Sequence, residues 1–314
     1  MTAQPSTTAS GEKTLAMLGC GNLGLAILTG ILSSLSEPSQ TEETSFKPPT
    51  KFIACVRSDR SAKRIQTAVK PYPGGSVTIL QNENIKAVEQ ANVIILGCKP
   101  YMVKEVLAVP GMREALRGKL LISVLAGVEG RQIEEALYQG ESVPVSERCT
   151  VVRAMPNTAA MVRESMTTIG VSVPPLPKEW DDLISWIFTR IGKIVRLPLA
   201  QMDVCTALAG SGPAFAALML EGLADGAVAM GLPRAEAQFM ACQVLKGTVS
   251  MVENGEHPAI VKEKISSPGG CTIGGLLVLE DAAVRGTIAR SVREATCVAS
   301  ELGKGTQRVN GTRR

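Results

Sequence analysis

The chain has 314 residues, 45% hydrophobic and 20% charged, enough apolar material for one large core or two smaller ones. A formal net charge of only +4 and an aromatic content of 3% argue against a nucleic-acid footprint and against stacking platforms for bases. Eight cysteines, at 20, 55, 98, 149, 205, 242, 271 and 297, include no CxxC pair, so no metal site is expected. Thiols set in apolar runs fit a reducing compartment, and the cytoplasm is the expected location.

Met1 to Gly11 is rich in Ser and Thr, with neither an apolar core nor an Arg, and reads as a flexible tail rather than a leader. Thr14 to Leu18 reads as a buried strand, followed by the loop Gly19-Cys20-Gly21-Asn22-Leu23-Gly24 and a helix to about Leu35. The polar, proline-bearing stretch 37–50 reads as a surface insertion, since it holds too little apolar area to order itself. Lys51–Val56 is the second strand and Ser61–Val69 a helix. The apolar runs 92–97 and 120–124 suit strands of a parallel sheet covered on both faces. Helices are expected at 85–89, 103–107, 130–138 and 178–190, and strands at 150–153, 167–171 and 193–197. The alternation predicts an α/β, doubly wound, Rossmann-type domain over residues 12–198.

From residue 199 to 303 the pattern is helix after helix, and 304–314 reads as a basic, flexible tail. The longest apolar stretch, Val204 to Leu232, is interrupted by Gly-Ser-Gly-Pro, Glu221 and Asp225, which suits a bundle helix better than a membrane span. Between Leu197 and Pro233 only Asp203, Glu221 and Asp225 are charged. A helix apolar on most faces must be covered, and a second subunit is the favoured cover, with a monomeric helical core as the alternative. The expected second domain is therefore an all-α dimerisation domain.

The GxGxxG loop follows a strand and opens a helix, the context in which its glycines permit a tight turn and a close approach of a dinucleotide pyrophosphate. Gly19, Gly21, Asn22, Leu23 and Gly24 are thus candidate cofactor residues. An acidic residue about 20 positions further on reads the ribose of NAD. Setting aside the 14 residues of the insertion, that place falls to Arg57-Ser58. Arg57, with Arg60 and Lys63 nearby, suits the 2′-phosphate of NADPH, with NADH as the other donor. Asp59 keeps a ribose contact open, and a solvated basic turn is the bland alternative. Strand ends at Gly97-Cys98-Lys99-Pro100 and Ser123 to Gly127 overlook the same crevice, so Cys98, Lys99, Pro100 and Ala126 are candidates to line the nicotinamide and ribose. Asn157, ending the strand at 150–153, is a candidate to orient the carboxamide. Local capping is the alternative for Lys99 and Asn157.

A second loop, Ser266-Ser267-Pro268-Gly269-Gly270-Cys271-Thr272, precedes a helix and offers hydroxyls and backbone amides suited to a carboxylate. Taken alone it is equally an ordinary N-cap. The single histidine, His257, stands before Pro258 and suits a structural loop role better than acid–base work.

Together these segments resemble the pyrroline-5-carboxylate reductase family from about Thr14 to Glu301. The matching runs include GCGNLG, GCKP, SVLAGV, RAMPNTAA, LAGSGPAF, LADGAVAMGLP and GEHPAIVKEKISSPGGCTIGGLLVLE. The resemblance implies NAD(P)H-dependent reduction of the cyclic imine 1-pyrroline-5-carboxylate to L-proline. It also implies a homodimer with interlocked helical domains, assembled further into a decamer. Ser266, Ser267, Gly269, Gly270, Cys271 and Thr272 would then hold the substrate, with Thr272 at the imine nitrogen as the catalytic candidate. Neither a nucleic acid nor a membrane is an expected partner. A β-hydroxyacid dehydrogenase shares the layout but requires a Lys on the first long helix of the second domain, and none occurs from Leu197 to Gln243. A dinucleotide-sensing scaffold without chemistry is the non-enzymatic alternative, disfavoured by the intact second loop.

Overall fold

The computed structural model describes residues 12–37, 46–73 and 75–303. The tails expected at 1–11 and 304–314, and most of the insertion expected at 37–50, lie outside the described residues. Two compact units are present. The first spans residues up to Gly210 and takes up the chain again from Thr296, and the second is Ser211–Ala295.

The first unit is built on β1 (Lys13–Leu18), α1 (Asn22–Ser36), β2 (Pro49–Val56), α2 (Asp59–Val69), β3 (Ser76–Gln81), α3 (Asn84–Gln90), β4 (Val93–Leu96), α4 (Val103–Leu107), α5 (Met112–Leu116), β5 (Leu120–Ser123), α6 (Gly130–Tyr138), β6 (Thr150–Met155), β7 (Ser165–Gly170), α7 (Lys178–Thr189) and β8 (Gly192–Leu197). The strands form one eight-stranded sheet in the order β3-β2-β1-β4-β5-β6-β7-β8. All adjacent pairs are parallel except β6–β7, which is antiparallel. The expected doubly wound sheet is therefore present with one reversal. β6 ends at Met155 and β7 begins at Ser165, and the short 3₁₀ turn Thr158–Val162 between them is too brief for a parallel crossover.

Successive side chains of a strand point to opposite faces, so the continuous apolar runs serve two cores. Leu15 and Met17 of β1 pack with Ile27 and Ile31 of α1 and Phe188 of α7 on one face. Ala16 and Leu18 pack with Val103 of α4 and Leu137 of α6 on the other. All of these are essentially closed to solvent. Phe46 falls within the stretch 37–50 expected as a surface insertion, yet it lies edge-on to Trp186 with ring centroids 6.4 Å apart, and Pro49 and Thr50 already belong to β2. The strand order reverses beside β1, between β1 and β4, and a crevice opens there at the carboxyl ends of the strands.

The chain leaves the sheet through α8 (Met202–Cys205) and a π-helical turn at Thr206–Ser211. The second unit then comprises α9 (Gly212–Ala229), α10 (Arg234–Glu253), α11 (Pro258–Ile265), α12 (Cys271–Asp281) and most of α13 (Val284–Gly303). α9 packs on α10, and α10 on α11. In this unit only small or single anchors are buried among the described residues: Ala224, Ala237, Ala241 and Val261. Large apolar side chains stay open, including Leu218 at 69%, Leu277 at 58% and Val278 at 68% exposure.

Candidate functional site

β1 stops at Leu18 because Gly19 takes φ +85, a backbone conformation that side chains disfavour. A Cβ there would stand 2.7 Å from both Cα and N of Cys98, so the turn and the end of β4 touch backbone to backbone. The Cys20 amide donates to the Cys55 carbonyl at 2.9 Å and ties the loop to β2. Gly21 then caps α1 without any side-chain hydrogen bond. The first-turn amides of Asn22, Leu23 and Gly24 therefore have no acceptor within the helix, and they carry its positive dipole end. Gly24 serves a different purpose, since a Cβ there would meet the Gly19 carbonyl at 3.4 Å and the Cys20 Sγ at 3.5 Å. It lets the helix sit close on its own loop.

These groups form one wall of a cleft of about 1000 Å³. Of the expected cofactor residues, Gly19, Gly21, Asn22, Leu23, Arg57, Ser58, Cys98, Lys99, Pro100 and Ala126 line it. Gly24 and Asn157 do not. Asn157 is buried, and its side chain is engaged within this unit: Oδ1 accepts from the Ala159 amide at 3.0 Å, and Nδ2 donates to the Ala209 carbonyl at 2.9 Å. The expectation that it orients a carboxamide gives way to a capping role, and Thr158 is the residue of this strand end that faces the cleft.

The basic rim differs in detail from the expectation. Arg60, Lys63 and Asp59 are absent from the lining, whereas Ser61 and Arg64 are present. α2 is capped by Ser58, whose Oγ accepts from the Ser61 amide at 3.3 Å, and Arg64 sits three residues beyond Ser61 on the same face. Arg64 Nη1 donates to Asn22 Oδ1 at 2.6 Å, joining α2 to the glycine loop. The helical spacing from Ser58 was the available signal for it. Arg57 is held by its carbonyl, which accepts from Gln81 Nε2 at 3.2 Å and Asn82 Nδ2 at 3.4 Å. Its Nη1 lies 3.9 Å from Oε1 of Glu105, a residue of α4 that also lines the cleft.

The cleft floor holds three thiols. Burial pushes Cys20 and Cys55 up to about 12 and Cys98 up to about 11, the charge of Glu105 adding to the rise at Cys98. They stay protonated at neutral pH and pack as small apolar groups. No cluster of metal-ligating residues occurs among the described residues.

The second loop belongs to the helical unit. Gly269 turns it at φ +68, and the Gly270 amide donates back to the Ser267 carbonyl at 3.0 Å. That spends one of the amides expected to be free. Ser266 Oγ donates to the Lys262 carbonyl at 2.8 Å, closing α11 and leaving its lone pairs available. Gly270 caps α12 without a side-chain bond, so the amides of Cys271 and Thr272 at the first turn are unpaired by geometry. His257 Nδ1 accepts from the Ala259 amide at 3.2 Å, the structural cap expected of it.

A cleft at the strand-order reversal, with a glycine loop at a helix N-terminus and a basic rim, defines an oxidoreductase of the dinucleotide-fold class. Residues 14–127 match the family model described as NADP oxidoreductase coenzyme F420-dependent, and residues 200–302 match that of pyrroline-5-carboxylate reductase dimerisation. The chain belongs to the pyrroline-5-carboxylate reductase family. It is 58% identical to a pyrroline-5-carboxylate reductase of Lophium arboricola, with 96% of this chain and 97% of that one aligned. The Neurospora crassa pyrroline-5-carboxylate reductase is 49% identical, with 99% of each chain aligned. Among solved structures, the Plasmodium falciparum pyrroline carboxylate reductase with NADP bound superposes with a TM-score of 0.74 at 25% identity, over 93% of this chain and 98% of that one.

Proposed function

We propose that this chain reduces 1-pyrroline-5-carboxylate to L-proline, with NADPH as hydride donor and NADH as the alternative. Family membership across nearly the whole length supports the reaction. The cleft fits the cofactor on its own terms. Gly21 presents backbone without a Cβ, with nothing nearer to that position than the Gly19 carbonyl at 4.0 Å, and the adjacent amides lack acceptors. The amides of Asn22 and Leu23 would hold the pyrophosphate, with Gly24 keeping the helix close on the loop behind them. Arg57, Ser58, Ser61 and Arg64 would hold the 2′-phosphate, and no carboxylate ends β2 to claim the ribose of NADH.

When bound, the nicotinamide supplies the hydride that adds to the ring carbon of the C=N bond. The chain's own task is to orient the imine and keep its nitrogen protonated. The observation that carries the substrate role is the uncapped N-terminus of α12. In this reading the substrate carboxylate accepts from the Cys271 and Thr272 amides, with hydroxyls of Ser266 and Ser267 beside it. The Thr272 hydroxyl meets the imine nitrogen. Gly269 and Gly270 shape the turn. The nitrogen becomes a secondary amine as the hydride arrives, and a proton from water or from the protonated imine itself completes it.

The open apolar faces of α9 and α12 support a homodimer through the helical unit, and the resemblance extends this to a decamer. The stretch Leu199–Ala229 is long and apolar enough to cross a membrane, with a mean hydropathy of 1.4 over its most apolar 18 residues. It falls almost wholly within the residues matched by the dimerisation model, which supports a subunit contact rather than a span. Eight unpaired cysteines support the cytoplasm. The deciding assay follows NADPH absorbance with 1-pyrroline-5-carboxylate while proline is quantified. Proline formed in step with NADPH consumed is the expected result, and NADPH binding without turnover would point to a sensing scaffold.

A further inference from the structure

The two arginines at the rim of the cofactor cleft are not equivalent. Arg64 Nη1 is bonded to a neutral partner, Asn22 Oδ1, at 2.6 Å. Arg57 instead faces an anion, Glu105, at 3.9 Å, and the two side chains are 68% and 65% exposed. They come from different elements. Arg57 follows β2, and its backbone is fixed by Gln81 and Asn82, whereas Glu105 projects from α4. Their pairing therefore spans the part of the cleft where the ribose 2′ position is read in a doubly wound fold. At this separation the ions attract without a hydrogen bond. A negative group entering beside Arg57 must share that cation with Glu105.

We propose that Glu105 is a specificity-determining residue of the cofactor cleft, which weakens recognition of the 2′-phosphate by engaging Arg57 and so narrows the preference for NADPH over NADH. The inference rests on the cofactor reading above and adds to it a residue outside the glycine loop and outside the end of β2. Arg64, whose charge faces no carboxylate within ion-pair distance among the described residues, then supplies the uncompensated cation.

The test is calorimetric binding of two fragments, adenosine 2′,5′-bisphosphate and 5′-AMP, to the full chain carrying Glu105→Gln. One exposed charge removed about 4 Å from another in water predicts roughly a fivefold gain in affinity for the bisphosphate, with 5′-AMP changed less than twofold. The gain shrinks in 0.5 M salt, where charges this exposed are screened. In an Arg57→Gln background, Glu105→Gln should alter bisphosphate binding less than twofold, because Glu105 acts through Arg57. An unchanged bisphosphate affinity, an equal gain for both fragments, or a full gain surviving without Arg57 would overturn the inference while leaving the cofactor reading standing. Wild-type protein that binds neither fragment would remove the cofactor reading, and this inference with it.

Discussion

Two glycines of the same loop answer to different constraints, and replacing each by alanine separates folding from cofactor binding. At Gly19 a side chain meets φ +85, which costs about 1–2 kcal/mol for a non-glycine residue. Its Cβ also stands 2.7 Å from Cα and N of Cys98, backbone atoms that move only with β4, and relief of such overpacking costs about 1–3 kcal/mol more. Gly19→Ala should therefore lose about 2–5 kcal/mol, a fall in Tm of roughly 5–15 °C for a unit of this size. At Gly21 φ is an ordinary −77 and the nearest atom to a Cβ is 4.0 Å away. Gly21→Ala should keep Tm within about 2 °C. It places a methyl where backbone must approach the pyrophosphate, so NADPH affinity should fall at least about tenfold. Thermal unfolding without ligand, paired with NADPH titration by fluorescence, measures both. A Gly21→Ala variant that binds NADPH like wild type would refute the cradle, and a Gly19→Ala variant as stable as wild type would refute the backbone contact with Cys98.

Thr272→Ala should lower kcat about a hundredfold, the size of one lost transition-state donor, with NADPH affinity unchanged and Thr272→Ser largely restoring turnover. Equal kcat in the alanine variant would remove Thr272 from the chemistry. Arg57→Asp should shift the kcat/KM ratio toward NADH, and an unchanged ratio would remove Arg57 from the reading of the 2′-phosphate. Stability should fall as pH rises from about 9 toward about 12, since Cys20 and Cys55 hold their protons to about 12 when folded but only to 9.0 otherwise. The unfolded chain loses protons first over that window, which draws the equilibrium toward it. A Cys55→Ala variant should show a shallower alkaline decline in Tm, and an identical decline would place the titration elsewhere. Leu277→Glu, on the open face of α12, should lower the mass seen by light scattering to at most half, and an intact assembly would move the subunit contact off that face.

Much of this architecture could be read from residue order because the informative elements are local. Leu15 to Leu18, Val93 to Leu96 and Leu120 to Ser123 are buried on both faces, and a continuous apolar run reports that directly. β3 (Ser76–Gln81) escaped because it is an edge strand with only Leu80 buried, so its polar alternation resembles a loop. The reversal of β7 depended on the shortness of its connection from β6 rather than on composition. Site residues divide in the same way. Gly19, Gly21 and Arg57 follow from fixed offsets along the chain. Arg64 and Glu105 enter the cleft because α2 and α4 turn one face toward it, a matter of tertiary placement. Asn157 misled because a polar residue at a strand end looks available, while its amide is already committed to Ala159 and Ala209.

The helical unit buries almost nothing larger than alanine within one chain, while Leu218, Leu277 and Val278 stand open. In the proposed homodimer such a unit gains its apolar stabilisation from a second copy, so its melting temperature would depend on how much protein is present. Supply within a cell then acts as a folding parameter. A newly made chain meets its most aggregation-prone interval before it finds a mate, and scarcity shortens its lifetime. A damaged copy does not fail alone, because each sound chain that joins it inherits a faulty neighbour. Where two versions are made in equal amounts and pair at random, about three dimers in four would carry at least one defective half.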